Sequence, residues 1–460
     1  MSITFTIQDG NERLTNYGGL ALIGALLGTT RISERVNGIL VPSCANPEIS
    51  HGDIITSMAG LLSLGMPSFA AIEQFRGDPF FAQSLGLDAC PSESILRQRL
   101  DGVDTAFDTI LKEESARLLH QRMPSLGLLS TSAGQFAPLD VDVSPFDNSG
   151  SQKEGVSLTY KGYEGFAPIM AYLGREGYLV DIDLREGKQH CQLGTPAFLR
   201  ETFHYAKRIT GQKLLLRLDA GNDSQDNIVE CVTAGVDWII KRNLRKESLT
   251  DWLALAQQTG TASHPRLGKT VWRGETFRDV PGQADPLRIV FEITERTCTL
   301  TGQLLLVPEI EVDTYWASLS CPPKEIVALY HDHGTSEQFH SELKTDMHLE
   351  RLPSTWFATN AVVLQLGMVA YNLLRLCGQE SLLEPEGEEE PRPTYRRPAT
   401  RRRVRIVIQD LMRVACRLTT HARAWHMSFG RYFPWKAVWT RLYQTFTTPV
   451  TTKSFVAQSP

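Results

Sequence analysis

Paired cysteines are missing from this chain, although single cysteines are not. Eight cysteines are scattered over 460 residues, and no two of them form a Cys-x-x-Cys pair. This distribution excludes a cysteine-rich zinc module and a disulfide framework like those of small secreted domains. We therefore expect reduced thiols, as in a cytoplasm.

Targeting and nucleotide-binding signatures are missing as well. The segment Met1–Asp9 lacks the basic-then-apolar pattern of a signal peptide, and no apolar run approaches the length of a bilayer span. The absence of a Gly-x-x-x-x-Gly-Lys-Ser/Thr loop argues against ATP-driven work. We expect a cytoplasmic protein of bacterial type, with no membrane partner and no nucleotide cofactor.

The overall composition is that of a globular chain with several domains. Apolar residues make up 42% of the sequence and charged residues 22%, and both values are ordinary. A chain of 460 residues is too long for one core, so we expect about two to four domains. The net charge of −5 does not indicate a nucleic-acid partner, but an average conceals local patches.

Residues 1–130 predict a mostly helical amino-terminal domain. Apolar segments such as Leu20–Leu27 and Ile54–Leu64 predict buried helices, and a later helix carries Arg97 and Arg99 on its outer face. Short helices with exposed arginines are compatible with a helix-turn-helix-like DNA-binding module. A helical cap that packs on the next domain fits the same pattern, and both interpretations remain open.

Residues 131–241 change to the period-two alternation of strands and predict an α/β domain. The predicted strands are Phe136–Val143, the hairpin Phe166–Leu173 with Gly177–Leu184, the buried strand Lys213–Leu218 and the short strand Asp237–Ile240. Helices are predicted at Thr195–Ile209 and after Ser224. Acidic residues occur at the first strand, as Asp140 and Asp142, and directly after the buried strand, as Asp219.

Four further segments complete the predicted organisation. Residues 242–328 predict a β-rich insertion, and residues 329–378 predict the final helices of the α/β core. An acidic linker, 379–391, leads to a basic helical region, 392–460.

Arginines dominate the start of the basic region. The cluster contains Arg396, Arg397, Arg401, Arg402, Arg403 and Arg405, and Asp410 is the only carboxylate in the chain beyond them. A DNA phosphate backbone is the natural partner of such a cluster. An exposed basic face, or one paired with the acidic linker, is the alternative.

The stretch Tyr330–Lys344 has the most informative spacing. Thr335 and Gln338 form a capping box that predicts the start of a helix. Glu337 and Lys344 then lie seven residues apart on one face of that helix. A carboxylate and an ammonium group on one face suit a site that binds a metal ion and a phosphate.

This spacing resembles a known family motif. Tyr330, His333, Glu337 and Lys344 are separated by two, three and six residues. The pattern resembles the Tyr-Arg-Glu-Lys motif of DDE-type insertion-sequence transposases, except that His333 stands where the family usually has arginine. Upstream, Asp142-Val143-Ser144 resembles the Asp-x-Thr of that family, and Asp219-Ala220-Gly221 resembles its Asp-x-Gly.

The resemblance implies a fold and a metal site. The implied fold is an α/β ribonuclease H-like catalytic core with a β-rich insertion, flanked by helical amino- and carboxy-terminal regions. Asp142, Asp219 and Glu337 would be the catalytic and metal-binding residues and would hold a pair of Mg²⁺ ions, for which Mn²⁺ can substitute. Asp140 shares a strand face with Asp142 and remains an alternative first ligand.

The resemblance also implies DNA contacts. Lys344 would hold a phosphate, Tyr330 would hydrogen-bond or stack near the same strand, and His333 would make a pH-sensitive contact. In related enzymes an aromatic residue of the insertion stacks on a flipped base, which makes Trp272 and Trp316 candidates. A position in the core is the alternative for both tryptophans.

The implied function is cut-and-paste DNA transposition. The protein would bind the terminal inverted repeats of an insertion sequence as a homodimer on double-stranded DNA. It would act as an Mg²⁺-dependent endonuclease, transfer strands to target DNA, and associate with the nucleoid while bound. One alternative is an inactive, transposase-derived DNA-binding protein. Another is a zinc protein built on His331, His333, His340 and His348, although no His-Glu-x-x-His motif occurs.

Overall fold

The chain divides into two compact units. The computed structural model describes residues 3–41, 47–103, 105–283, 285–383, 399–422 and 424–449. The helical unit comprises the described residues of 1–124 and 342–449, and the sheet unit comprises those of 125–341.

The amino-terminal part of the helical unit is built from short helices. Its described elements are β1 Arg13–Thr15, α1 Leu20–Leu27, α2 Ile32–Asn37, α3 His51–Ser63, a 3-10 helix Phe69–Phe75, α4 Pro79–Leu85, α5 Glu93–Asp101 and α6 Asp108–Arg122.

Capping residues explain where several of these helices begin. The hydroxyls of Ser50 and Ser92 accept hydrogen bonds from the backbone N–H groups of Asp53 and Ile95, at 2.9 and 3.3 Å. Asp78 accepts one from the Phe80 N–H at 2.9 Å, ahead of α4. Such caps satisfy N–H groups that have no partner inside the helix.

The sheet unit alternates strands and helices. Its described elements are β2 Leu129–Thr131, β3 Gly134–Val143, β4 Phe146–Asp147, β5 Ser157–Leu158, β6 Glu164–Phe166, β7 Ile169–Leu173, β8 Tyr178–Asp183, α7 Thr195–Ile209, β9 Leu214–Leu218, a 3-10 helix Ala220–Asn222, α8 Gln225–Ala234, β10 Asp237–Lys241, α9 Leu249–Thr259, β11 Thr261–Arg266, β12 Lys269–Arg278, β13 Leu287–Cys298, β14 Leu304–Ala317, α10 Pro323–His331, a 3-10 helix Asp332–Thr335 and α11 Ser336–Ser341.

The carboxy-terminal part of the helical unit contains one long helix and a hairpin. Its described elements are a π-helix Glu342–Asp346, α12 Phe357–Glu380, α13 Val404–Val407, a π-helix Ile408–Met412, β15 Cys416–His421, β16 Ala424–Phe429 and α14 Lys436–Thr447.

One large mixed sheet organises the sheet unit. Its order is β11-β12-β13-β14-β10-β9-β3-β7-β8, and β2 pairs with β3 outside this path. Strands β3, β9 and β10 are parallel, whereas β7 is antiparallel to β3 and β8 is antiparallel to β7. All five residues of β9 are buried, which confirms the predicted buried strand ending at Asp219.

The β-rich segment extends this sheet. Strand β14 pairs with β10, and β13, β12 and β11 continue outward from it. The sequence predicts two separate strands here, Cys298–Pro308 and Tyr315–Leu319, and this prediction was wrong, because the single strand β14 runs from Leu304 to Ala317. The segment also contains a helix, α9, that was not predicted.

The amino-terminal helices and the described residues of 342–449 lie in the same unit, whereas the sequence predicted separate amino- and carboxy-terminal regions. The Asn372 side-chain amide on α12 donates to the Ser115 hydroxyl on α6 at 3.0 Å. The Thr359 hydroxyl donates to the Asp101 carboxylate at 2.6 Å. A long helix from the second half of the chain therefore supplies part of the core around which the amino-terminal helices pack.

Helix α12 is buried on nearly all sides. Among the described residues it alone is long and apolar enough to cross a membrane by length and composition, and 94% of its most apolar window is buried inside the protein. The expectation that no apolar segment reaches that length was wrong. Burial on every face is the environment of a core helix, and it explains why the helix is apolar all round.

The basic carboxy-terminal region is not wholly helical. A helix was predicted to continue beyond Val414, but the chain forms the antiparallel hairpin of β15 and β16 instead. Strand β1 pairs with β15, so this hairpin becomes a three-stranded sheet. The predicted acidic linker lies largely outside the described residues, as do Arg396 and Arg397.

Candidate active site

Two parallel strands bring Asp142 and Asp219 to one edge of the large sheet. Asp142 is the next-to-last residue of β3, and Asp219 directly follows β9. Val141 lies opposite Leu218 in the parallel pairing of these strands. Continuing that register by one residue places the two aspartates side by side, because neighbouring strands lie about 4.8 Å apart.

The two carboxyl groups act on each other electrostatically. Burial raises the pKa of Asp219, and the negative charge of Asp142 raises it further. Burial also acts to raise the pKa of Asp142, but a hydrogen bond from His340 and its charge outweigh this effect and lower it. Two like charges in a partly desolvated place favour the binding of a cation between them.

His340 holds the Asp142 carboxylate in place. Its Nε2 lies 3.3 Å from Asp142 Oδ2, and its Nδ1 lies 3.3 Å from the Tyr172 hydroxyl. The backbone N–H of Val143 donates to the other oxygen of Asp142 at 2.7 Å. Asp142 is therefore oriented by two elements, while about a quarter of its side chain (24%) stays exposed.

Asp140 has a different environment from Asp142, although both lie on β3. The Arg217 guanidinium donates from Nε to Asp140 Oδ1 at 2.6 Å and from Nη2 to Oδ2 at 2.8 Å. His333 Nδ1 lies 2.9 Å from Asp140 Oδ1. Arg217 and His333 lower the pKa of Asp140 to about 2 despite its burial. Both oxygens of Asp140 are thus engaged by protein groups.

The same network fixes the end of helix α10. Arg217 Nη1 donates to the Leu329 carbonyl at 2.7 Å and to Asp332 Oδ2 at 3.3 Å. Burial acts to lower the pKa of His333, but the charge of Asp140 and its hydrogen bond outweigh burial and raise it. Strands β3 and β9 are therefore tied to the segment that leads into α11.

Tyr330, Glu337 and Lys344 are the remaining residues of the motif. Tyr330 is half-buried with its ring centroid 4.8 Å from that of Tyr315. Burial raises its pKa, as do the charges of Asp219 and Asp142. Glu337 is exposed on α11. Lys344 lies in the helical unit within the π-helix Glu342–Asp346, so the α-helical spacing that predicted one shared face with Glu337 does not apply there.

The donor set of the Asp142–Asp219 pair fits a hard divalent cation. Both residues offer carboxylate oxygens, the ligands that Mg²⁺ prefers, and their mutual repulsion is relieved by a positive ion. Within the described residues, no three His, Cys, Asp or Glu side chains are grouped so that they could hold a metal ion. This arrangement therefore provides two carboxylate ligands side by side and does not gather the third.

The family comparison identifies the chain. The profile of the family described as "Transposase DDE domain group 1" matches residues 4–449. The chain belongs to this family of DDE transposases. No curated protein matches the sequence.

Solved structures also resemble this transposase, and among them is the cryo-EM structure of a piggyBac transposase synaptic complex with hairpin DNA. That structure has 11% sequence identity and a TM-score of 0.39, and the similarity covers 78% of this chain and 74% of that one.

Both predicted base-stacking tryptophans are largely buried in this transposase. Trp272 is 9% exposed and Trp316 is 8% exposed. The indole N–H of Trp316 donates to Asp223 at 2.9 Å, and the Arg242 guanidinium lies 4.7 Å from its ring centroid. These environments are those of core residues, the alternative that the sequence left open for both.

The described arginines of the basic cluster are paired with carboxylates, although Asp410 is the only carboxylate that follows them in the sequence. Arg401 pairs with Glu342, and Arg402 donates to Asp410 at 2.6 Å. Arg403 and Arg405 both bind Asp346, at 2.7 and 3.2 Å. Glu342 and Asp346 lie more than fifty residues before the arginines that they bind. The count of carboxylates near the cluster therefore did not include them.

These arginines also differ in how much of each side chain is exposed to solvent. Arg402 is only 2% exposed, and its guanidinium lies 4.0 Å from the Trp435 ring centroid. Arg403 and Arg405 keep about half of their side chains exposed. Arg402 is therefore a structural residue of the helical unit, whereas Arg403 and Arg405 remain accessible to a DNA phosphate.

The predicted histidine cluster does not form a metal group among the described residues. His333 and His340 hydrogen-bond to Asp140 and Asp142 respectively. The predicted contact of His333 with DNA is not favoured by this environment, because its side chain is only 10% exposed.

Two residues of the site were missed by sequence reasoning. Arg217 appeared only as one polar residue inside an apolar strand, and that exception to the pattern was the available signal. Tyr160, whose hydroxyl donates to the carbonyl of Val143 at 3.2 Å, gave no signal at all, because its position depends on how a short loop folds back onto β3.

Proposed function

We propose that this transposase is an active, metal-dependent nuclease and strand transferase that uses Asp142, Asp219 and Glu337. The observation that carries the proposal is the side-by-side placement of Asp142 and Asp219 at one edge of the sheet, where their like charges repel each other. An inactive DNA-binding protein has no need to maintain two desolvated like charges, which cost stability.

The strand order supports a ribonuclease H-like core with a β-rich insertion. The order β8-β7-β3-β9-β10, with an antiparallel half and a parallel half, is the one expected for such a core. Strands β11–β14 then form the insertion, because they lie in sequence between Asp219 and Glu337 and extend the sheet beyond β10.

The environment of the two β3 aspartates supports Asp142 as the first ligand. Asp140 gives both oxygens to Arg217 and His333, so it has little capacity left for a metal. Asp142 is partly exposed and is held by His340. In this proposal Asp140 and Arg217 position the site, and His340 orients the ligand.

Mg²⁺ bound by these carboxylates would lower the pKa of the attacking water or 3′-hydroxyl and neutralise charge on the leaving oxygen. Asp142 and Asp219 would hold the cation from the sheet, and Glu337 would complete the ligand set from α11. Helix α11 already contacts the sheet through the His340–Asp142 hydrogen bond, and the exposed Glu337 side chain would reach the cation by a local rearrangement when DNA binds. Burial and the charges of both aspartates raise the pKa of Tyr330, and its hydroxyl would contact the strand being cut.

The proposed partner is double-stranded DNA carrying the terminal inverted repeats of the element. Lys344, Arg403 and Arg405 would contribute phosphate contacts, and these positions lie in the helical unit. Cutting both ends requires two active sites, so we propose a homodimer assembled on DNA in a bacterial cytoplasm. The joining of a 3′-hydroxyl to target DNA preserves the number of phosphodiester bonds and therefore needs no nucleotide cofactor.

The test is a cleavage assay on a supercoiled plasmid that carries the two sequences flanking the coding region. With Mg²⁺, the wild-type protein should cut at the repeat ends, and EDTA should abolish cutting. Asp219→Asn and Glu337→Gln should each lower the rate more than about 100-fold, since even loss of a residue behind a metal ligand costs 10–100-fold.

Asp251→Asn provides the matched control, because Asp251 is an exposed aspartate in the first turn of α9. It should cut at the wild-type rate. DNA binding without any cutting by the wild type would favour the inactive alternative. Undiminished cutting by Asp219→Asn would refute the assignment of the site.

A further inference from the structure

A small hairpin in the sheet unit ends in a tight turn that carries a tyrosine. Strands β5 and β6 pair antiparallel, and residues 159–163 connect them. The Gly162 N–H donates to the Thr159 carbonyl at 3.0 Å, so Tyr160 and Lys161 are the two central residues of the turn. Gly162 has a φ of +83°, a conformation that favours glycine.

The Tyr160 hydroxyl is anchored beside the carboxylate pair. It donates to the Val143 carbonyl at 3.2 Å, and Val143 directly follows Asp142. Burial of the hydroxyl raises the pKa of Tyr160, and the charges of Asp142 and Asp219 raise it further. The hydroxyl end of the ring therefore lies within the field of both aspartates.

Much of the Tyr160 residue is open to solvent. Tyr160 is 69% exposed although its hydroxyl is held, and neighbouring Leu158 and Lys161 are exposed as well. A tyrosine that is fixed at its hydroxyl and exposed over most of its surface contributes little to a core. It loses little conformational entropy when a flat ligand stacks on it, since it is already held in place.

The chemistry of the neighbouring site indicates which flat ligand would stack on this ring. A DNA strand whose phosphate lies at the Asp142–Asp219 pair brings its own bases to the surrounding surface. Every nucleobase has a π-face that stacks on an exposed aromatic ring, without regard to sequence. An exposed lysine at the next position, Lys161, adds a positive charge for the backbone of the same strand.

We propose that Tyr160 is a base-stacking residue that binds an unpaired nucleobase of the DNA strand held at Asp142 and Asp219. This inference rests on the proposed function, because it takes the strand to be positioned by that pair. The residues predicted to stack on a base were Trp272 and Trp316, but both are buried. Tyr160 lies instead on the hairpin of β5 and β6, which falls between β3 and β7 in the sequence.

The test compares two fluorescein-labelled duplexes by anisotropy, with Ca²⁺ replacing Mg²⁺. One duplex carries a short single-stranded 3′ extension of thymidines, and the other carries abasic sites at the same positions. The wild-type protein should bind the thymidine extension at least about fivefold more tightly, as expected for one stacked base. Tyr160→Ala should bring this ratio close to one and leave the affinity for the abasic duplex unchanged.

Three further variants make the result specific. Tyr160→Phe keeps the aromatic face and should keep the preference, whereas Tyr160→Leu keeps only apolar bulk and should lose it. Phe277→Ala is the matched control and should keep the preference. Phe277 is 61% exposed on β12, and four strand spacings, about 19 Å, separate β12 from β9.

The inference is overturned if the wild type shows no preference, if Tyr160→Ala retains it, or if Tyr160→Ala weakens binding to both duplexes equally. Cleavage assays keep the two proposals apart. Metal-dependent cutting that requires Asp219, together with an unchanged preference in Tyr160→Ala, would leave the proposed function standing and refute the stacking role alone. Absence of cutting by the wild type would count against the proposed function instead.

Discussion

The Arg217 guanidinium binds the Asp140 carboxylate through two hydrogen bonds, of 2.6 and 2.8 Å, with both side chains almost completely buried. The pair joins the adjacent parallel strands β3 and β9 at the level of the candidate active site. A buried ion pair of this kind contributes geometry more than net stability, because desolvation offsets most of the attraction between the charges. Arg217 also donates to Leu329 and Asp332, and Asp140 also contacts His333. The pair therefore also positions the segment that leads to Glu337.

Removing one member of this pair should be strongly destabilising. Arg217→Met leaves the Asp140 charge buried with His333 as its remaining charged partner, and we expect a loss of about 3–5 kcal/mol in the free energy of unfolding. Urea denaturation measures this loss of stability. Hydrogen exchange of the β3 amides shows whether the loss arises within the sheet unit.

The double variant Arg217→Met with Asp140→Leu separates charge from packing. It should recover much of the stability lost in Arg217→Met, because the buried Asp140 charge is removed together with that of Arg217. DNA cleavage should nevertheless remain impaired, since the link to Leu329 and Asp332 is lost. Full activity in a stable double variant would contradict the positioning role of the pair.

Acid should weaken the sheet unit through Asp140. Its pKa in the folded protein is lowered from the ordinary 3.8 to about 2. The ionised carboxylate therefore stabilises the folded state above the ordinary pKa, and this contribution is lost as the pH falls towards the folded pKa. We expect the free energy of unfolding to decline between about pH 4 and pH 2.

The double variant that lacks both Asp140 and Arg217 supplies the comparison for this acid effect. Its free energy of unfolding should fall less steeply over the same pH range, measured by urea denaturation at each pH. An equal slope in the two proteins would show that other carboxyl groups cause the decline.

Arg402 and Arg405 should respond differently to substitution. Arg402→Ala removes a buried guanidinium that binds Asp410 and stacks on Trp435, so it should lower the melting temperature and leave the salt dependence of DNA binding unchanged. Arg405→Ala should leave the melting temperature nearly unchanged and reduce the slope of log K against log salt by about one. Fluorescence anisotropy at several salt concentrations measures the slopes, and a reversed assignment would contradict this account.

Metal binding should weaken in mild acid because of Asp219. Burial and the charge of Asp142 raise the pKa of this residue, so its protonated form persists to higher pH than that of a free aspartate. Protonation removes a ligand, and metal affinity should therefore fall as the pH decreases from about 7 to about 4. Titrations in buffers of different ionisation enthalpy should show proton release on metal binding at the lower pH. Affinity that does not change over this range would exclude Asp219 as a ligand.

Local sequence signals predicted the elements that carry the site. Helix α7 was predicted with the observed ends, Thr195–Ile209, because its apolar face repeats at the helical period. Strands β3 and β9 were predicted because alternation and a short apolar run are direct consequences of strand geometry. The placement of Asp142 and Asp219 at strand ends therefore followed from sequence.

Features that depend on distant contacts were not predictable in this way. Strand β14 passes through Pro308 because a register shift between Arg296 and Cys298 accommodates it, and proline is tolerated at such irregularities. Nothing in the sequence near Asp140 indicates Arg217 or His333, which are 77 and 193 residues away. The pairing of Arg403 with Asp346, 57 residues apart, was hidden for the same reason.

If Asp142 and Asp219 together hold a divalent cation, calorimetric titration with Mn²⁺ should detect it. The wild type should bind Mn²⁺ saturably, Asp142→Asn and Asp219→Asn should each lose at least about tenfold in affinity, and Asp251→Asn should keep the wild-type affinity. Wild-type affinity in both Asp142→Asn and Asp219→Asn would show that these two residues do not bind the cation.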